Sequence, residues 1–188
     1  MEPAWIIAII VIAAFVLLIV WGIGLYNQLV RKRIATDDAW ATIDVQLKRR
    51  HDLIPNLVQT VKGYAAHEQQ TLQQVVEARR QAVAATGPAE QAQAENLLTG
   101  MLRQLFALSE AYPDLKANQN FLQLQQELAE TENRISQSRT AYNDTVRRYN
   151  TAVQQVPTNI IAGMFNFQPR DFFEIEDPAA RQTPQVRF

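Results

Sequence analysis

Residues 5 to 26, W-I-I-A-I-I-V-I-A-A-F-V-L-L-I-V-W-G-I-G-L-Y, form an apolar run without a single charge. About 20 such residues cross a ~30 Å hydrocarbon core as a helix, so the run reads as a transmembrane anchor. A removable signal peptide is the competing reading, and the flanks argue against it. Met1-Glu2-Pro3 holds no Lys or Arg, the apolar stretch exceeds a signal h-region, and no A-x-A-like site follows. Trp5 at one end, with Trp21 and Tyr26 at the other, fits the aromatic belts of a bilayer interface. Arg31, Lys32 and Arg33 follow the run, and the positive-inside rule then expects the C-terminal body in the cytoplasm.

The expected organisation is an anchor over 1–26, a helical domain over 27–167 and an irregular, partly disordered tail over 168–188. The chain holds 18 Lys+Arg and 19 Asp+Glu, and with Glu2 beyond the anchor the body is balanced. That balance argues against a nucleic-acid partner. The chain has no cysteine, which excludes disulfides, thiolate metal sites, cysteine nucleophiles and a lipid-modified cysteine. No Walker or dinucleotide pattern occurs, so neither a cofactor nor a small-molecule substrate is expected.

Past the anchor the composition favours helix formers, with Gln, Ala, Leu, Glu and Arg dominant. Trp40, Leu47, Ile54, Val61 and Val75 lie on one seven-residue ladder interrupted by Glu68, and Ile43, Leu57 and Tyr64 form a companion row. Such spacing puts both rows on one helix face. Thr86-Gly87-Pro88 marks a break, and a second helix is expected over about 89–111 with Leu98, Met101, Leu102, Leu105 and Leu108 buried. After a turn at Pro113-Asp114, a third helix carries Phe121, Leu128, Ile135, Tyr142, Tyr149 and Val156, each seven apart, and ends at Pro157. Asn118 is a candidate cap for it. Thr158–Phe167 suggests a short helix, and Phe165, Phe167, Phe172 and Phe173 suggest docking onto the bundle.

The fold class expected is therefore all-α: a transmembrane helix followed by an antiparallel bundle of long helices. Pro55 decides between two geometries. A proline inside a helix deletes a backbone hydrogen bond and costs about 3 kcal/mol, yet the ladder continues in phase through it. The favoured geometry is three long helices, the first kinked at Pro55 and running from the membrane to about residue 85. A break at Pro55, giving a four-helix up-and-down bundle, is the alternative. In the first geometry the face of Trp40, Ile43 and Leu47 lacks a cover unless the end of the chain or a second copy supplies it, a hint of a homo-oligomer.

Longer strings then accumulate in a fixed order. They are Tyr26-Asn27, Ala39-Trp40, Q-L-K-R-R-H-D-L-I-P-N-L-V-Q-T-V-K-G-Y-A-A-H-E (46–68), A-Y-P-D-L-K-A-N-Q-N-F-L-Q-L-Q (111–125), T-E-N-R-I (131–135), Y-N (142–143) and R-R-Y-N (147–150). This sequence closely resembles the bacterial LemA family across nearly all of its length except the last dozen residues. The resemblance implies an N-terminal anchor in a bacterial inner membrane, a helical bundle and no established catalytic activity. It also implies association with membrane proteins, including an HtpX-like membrane metalloprotease, and one branch resembles a magnetosome membrane-building protein. Some relatives carry a lipobox-like cysteine where this chain has Gly24-Leu25, a departure that favours a spanning anchor here.

Individual residues give weaker signals. His51 and His67 lie ~24 Å apart on a helix, too far to share a metal, and His67-Glu68 does not open an H-E-x-x-H motif. A lone His beside an acid reads as a surface hydrogen bonder. Lys48-Arg49-Arg50 reads as a solvated face or a contact with an acidic partner, ~30 Å beyond the membrane on an upright helix. Thr131, Ser138 and Thr145 form a polar row, either an intrachain seam or a partner-binding stripe. No catalytic or metal-binding set emerges. The expected function is a non-catalytic scaffold or adaptor that binds membrane proteins or itself along Trp40–Leu47 or the polar row. A self-assembling membrane-remodelling protein is the alternative, and a hydrolase the weakest class.

Overall fold

The computed structural model describes residues 3–174, and these are helical with no strand among them. Helix α1 spans Pro3–Tyr64, α2 Gln69–Ala84, α3 Gly87–Ser109, α4 Pro113–Lys116, α5 Gln119–Gln154 and α6 Thr158–Met164. Their described residues form two compact units, Met1–Ala41 with Ala141–Arg170 and Thr42–Thr140 with Asp171–Phe188. Both α1 and α5 contribute to each.

The apolar run of α1 is helical throughout, and its most apolar 18-residue window is 0% buried. The core helix of a soluble protein would be covered; this one faces outward on all sides, as a helix solvated by lipid does. It is a membrane anchor.

Beyond it, α1 continues unbroken through Pro55, whose ring lies on the exposed face. The lost hydrogen bond is the one that Pro55 would have donated to the carbonyl of His51, four residues back. Arg79 on α2 supplies a replacement: its Nε donates to His51 O at 2.6 Å. A charged donor from a neighbouring helix thus satisfies the carbonyl that the proline orphans.

The expected continuation of α1 to residue 85 is not observed. The helix ends at Tyr64, and a short turn over 65–68 leads into α2. Nothing in Ala65-Ala66-His67-Glu68 breaks a helix locally; contacts from the α4 region hold the turn. Tyr112 Oη donates to Glu68 Oε1 at 3.1 Å, and Asn118 Nδ2 donates to Tyr64 Oη at 2.9 Å. Neither the three-helix nor the Pro55-break geometry anticipated this position.

The other boundaries follow the sequence closely. Gly87 adopts φ +79 between α2 and α3, a conformation that costs glycine little. Glu90 Oε2 accepts both the Thr86 amide and its hydroxyl at 3.0 Å, and these bonds hold its carboxyl below the usual range. Asn118 Oδ1 accepts the Phe121 amide at 3.0 Å, capping α5.

In the second unit Ile54, Leu57, Val61, Val75, Leu98, Leu105, Leu115 and Phe121 pack into one core. Each fully buried side chain of this kind is worth about 1.5–3 kcal/mol. In the first unit Leu29 packs with Tyr149, Ala152, Val153, Ala162 and Phe167. Val156, expected on the α5 ladder, lies beyond the end of that helix and is exposed.

The segment after α6 is irregular but fastened. Tyr149 Oη donates to Gln168 O at 3.0 Å, and Asn150 exchanges two hydrogen bonds of 2.8 Å with the Arg170 backbone. Phe167 and Phe173 are buried, whereas Phe165 and Phe172 are exposed. Most of the tail expected to be disordered, 175–188, lies outside the described residues.

Replacing Arg79 with Met should cost about 1.5–3 kcal/mol, the usual worth of a hydrogen bond to a charged group. In a Pro55→Ala background, where an amide again reaches His51 O, that cost should nearly vanish. Denaturant unfolding of the full chain in detergent measures both; an equal cost in the two backgrounds would refute the replacement.

Candidate functional site

The ladder that builds the second unit carries charge where apolar residues are the rule. On α1 the buried positions run Ile43, Leu47, Arg50, Ile54, Leu57 and Val61; on α3 they run Gln91, Glu95, Leu98, Leu102, Leu105 and Ser109. Both follow alternating steps of three and four, so the polar members face the core as squarely as the apolar ones. Arg50 Nη1 lies 3.1 Å from Glu95 Oε2 and 3.1 Å from Glu132 Oε2, and its Nη2 donates to Thr99 Oγ1 at 2.7 Å. His51 Nε2 lies 2.6 Å from Glu95 Oε1, which also accepts from Gln91 Nε2 at 3.1 Å. The same Gln91 amide donates to Ala82 O near the end of α2 at 2.9 Å.

Side chains of α1, α3 and α5 thus meet around one carboxylate that is 0% exposed, and Gln91 ties in the last turn of α2. A buried charge is tolerated when it is paired and hydrogen-bonded, and Glu95 has three partners. This corrects two expectations: Arg50 is not part of a solvated face, and His51 is not on the surface. Lys48 and Arg49 are exposed as expected.

The expected interaction face is also closed. Ile43 and Leu47 are buried within a single chain, and Trp40 is half-buried with its ring 5.3 Å from that of Tyr142. Ile43 and Leu47 are thus covered by the chain itself, and Trp40 keeps partial exposure. Thr131 is buried, donating to Glu127 O at 2.7 Å, whereas Ser138 and Thr145 are half-buried, with Thr145 Oγ1 donating to Tyr142 O. Of the membrane-interface set, Trp5, Trp21, Arg31 and Arg33 are exposed, Lys32 is half-buried, and Tyr26 packs on Phe165 and Phe167.

Open apolar surface lies elsewhere in the second unit. A groove of 610 Å³ is lined by residues of α1 and α2, among them Val58, Lys62, Leu72, Val76 and Glu77. A second concavity of 440 Å³ shares Gln73 and Glu77 with it and continues to Leu97 and Met101 of α3. Val76 is 50% exposed and Leu97 42%. Hydrogen bonds from Arg80 (2.8 and 2.7 Å) and Gln81 hold the Glu77 carboxyl down at about 2, so this edge of the groove carries an ionised Glu77–Arg80 pair at any physiological pH. Among the described residues no group of His, Cys, Asp or Glu is arranged to hold a metal ion.

Comparison with known proteins places this sequence in a family. The sequence model of the LemA family matches residues 39–188. The chain belongs to the LemA family. Protein LemA of Metamycoplasma hominis is 28% identical over 144 residues, covering 74% of this chain and 64% of that relative. The match thus spans less than two thirds of that relative's length. Magnetosome protein MamQ 2 of Paramagnetospirillum magneticum is 25% identical over 190 residues, covering 86% of this chain and 70% of the relative. Magnetosome protein MamQ of Magnetospirillum gryphiswaldense is 24% identical over the same length and coverage. This LemA-family chain is a membrane-anchored helical protein.

Removing the Glu95 carboxylate takes from buried Arg50 its one fully buried counter-charge and leaves only half-exposed Glu132. Glu95→Ala should therefore cost about 3–5 kcal/mol in denaturant unfolding, while Glu132→Ala, at a half-exposed partner, should cost no more than about 1 kcal/mol. Equal costs would contradict the central place given to Glu95.

Proposed function

We propose that this LemA-family protein is a non-catalytic scaffold or adaptor that docks a helix of another membrane protein at the bilayer. The observation that carries this reading is the paired groove on α2. It is lined by apolar Val58, Leu72 and Val76 together with charged Lys62 and Glu77, and it continues toward Leu97 and Met101. Amphipathic helices are recognised by such surfaces, which take apolar anchors one turn apart and read charge at the rim. The three basic residues after the anchor favour a bacterial inner-membrane protein with its body in the cytoplasm. An HtpX-like membrane protease is one partner to test, on family resemblance alone.

A photo-reactive amino acid at Gln73, in the full chain in its native membrane, tests the reading. One membrane protein should dominate the adducts, and Val76→Asp should reduce that adduct about tenfold, as the loss of a well-buried apolar anchor does. Adducts unaffected by Val76→Asp, or a complete lack of protein adducts, would refute docking at this groove.

A further inference from the structure

We propose that the membrane-side end of the first unit binds an anionic phospholipid of the bilayer in which α1 is anchored. Two adjoining features of this end point to it.

The first is apolar. Ile160 and Met164 lie one turn apart on α6, with Val156 just ahead of them and Phe165 just after, and all four are exposed, Val156 and Met164 at 72%. Isolated exposed apolar residues need no explanation. This set abuts the anchor: the Phe165 ring lies 4.8 Å from that of Tyr26, the last residue of the apolar run. The surface is therefore continuous with the lipid-facing surface of α1, which identifies its occupant as the interface of the same bilayer. A short helix with apolar side chains on one face suits that depth.

The second is cationic. A cavity of 430 Å³ beside α6 is lined by Leu25, Gln28 and Lys32 of α1, Arg147 and Arg148 of α5, and Val156. Arg147 pairs with half-buried Asp144 at 2.7 Å. Lys32 and Arg148 have no side-chain ion pair among the described residues. Lys32 follows Tyr26 by six residues, or ~9 Å along a helix. That is just outside the headgroup layer, which adds about 5–8 Å on each side of a ~30 Å hydrocarbon core, and a lysine stem reaches back across the difference. Leu25 and Val156 line the membrane side of the cavity and continue into the apolar set. One phospholipid satisfies both features, its phosphate among the cations and its acyl chains along Val156 and α6.

The test uses the full chain reconstituted in mixed vesicles. Spin-labelled phosphatidylglycerol should be immobilised in preference to spin-labelled phosphatidylcholine. Combining Lys32→Gln, Arg147→Gln and Arg148→Gln should erase that preference, by about fivefold for each cation removed, with the helical circular dichroism unchanged. The natural absence of cysteine allows a single Ile160→Cys variant carrying a fluorophore. Its emission should be quenched by doxyl-labelled lipid and shielded from iodide, whereas a label at Ala129→Cys on α5 should behave in the opposite way. Equal immobilisation of the two lipids by the wild-type chain overturns the proposal, as does iodide quenching of the Ile160 label equal to that at Ala129. Displacement of phosphatidylglycerol by excess inorganic phosphate would assign the cavity to a free anion instead and also overturn it.

Discussion

The carbonyl of His51, stripped of its helical partner by Pro55, is the constraint around which the second unit is arranged. A helix carrying such a defect would normally kink or stop. Here Arg79 from α2 reaches across to the orphaned oxygen, and the turn that bears it also carries Arg50 and His51 into the core. Those two side chains need a carboxylate, and Glu95 of α3 provides it. Glu132 adds a further contact from α5. The proline, the arginines and the buried acid form one solution in which each polar group is satisfied by a group from another helix.

That solution explains how much of the fold was legible beforehand. The ladder Phe121, Leu128, Ile135, Tyr142, Tyr149 could be read directly because each member buries on one face. Val156 kept the spacing but not the conformation: the residue before a proline is driven out of the helical region, and α5 ends at Gln154. The turn after Tyr64 left only the polar Glu68 on the ladder as a trace, since its cause is Tyr112 and Asn118, more than 40 residues away. The buried cluster was missed because charged residues were assigned to the surface by type. Their positions carried the better signal: Arg50 continues the apolar spacing of Ile43, Leu47 and Ile54, and Glu95 continues that of Leu98 and Leu102. The cover on Trp40 comes from Tyr142 of α5, a contact between helices about 100 residues apart that the spacing within α1 alone does not reveal.

The two units divide the physical work between them. The first holds the anchor and places Tyr26, Phe165 and Phe167 in ring contact where the chain leaves the membrane. Arg33 stacks over Phe167 at 5.1 Å and Arg170 pairs with Asp37 at 2.9 Å, so polar and aromatic contacts fasten the strap that follows α6. The second holds an apolar core with a charged cluster and presents its open apolar surface on α2 and α3. A buried ion cluster contributes less net stability than an apolar core of the same volume. What it adds is geometry: through Arg50, His51, Glu95 and Glu132 it links side chains of α1, α3 and α5 at fixed positions.

The core of the second unit depends on the continuity of α1 through Pro55. Spin labels at Val45→Cys and Lys62→Cys, both exposed positions, report it directly by pulsed electron–electron resonance on the full chain in lipid nanodiscs. Seventeen residues of unbroken helix separate the labels by about 26 Å at 1.5 Å per residue, and a single narrow distribution near that value is the result expected. A population below about 15 Å, as a chain folded back at Pro55 would give for two packed helices, would contradict it.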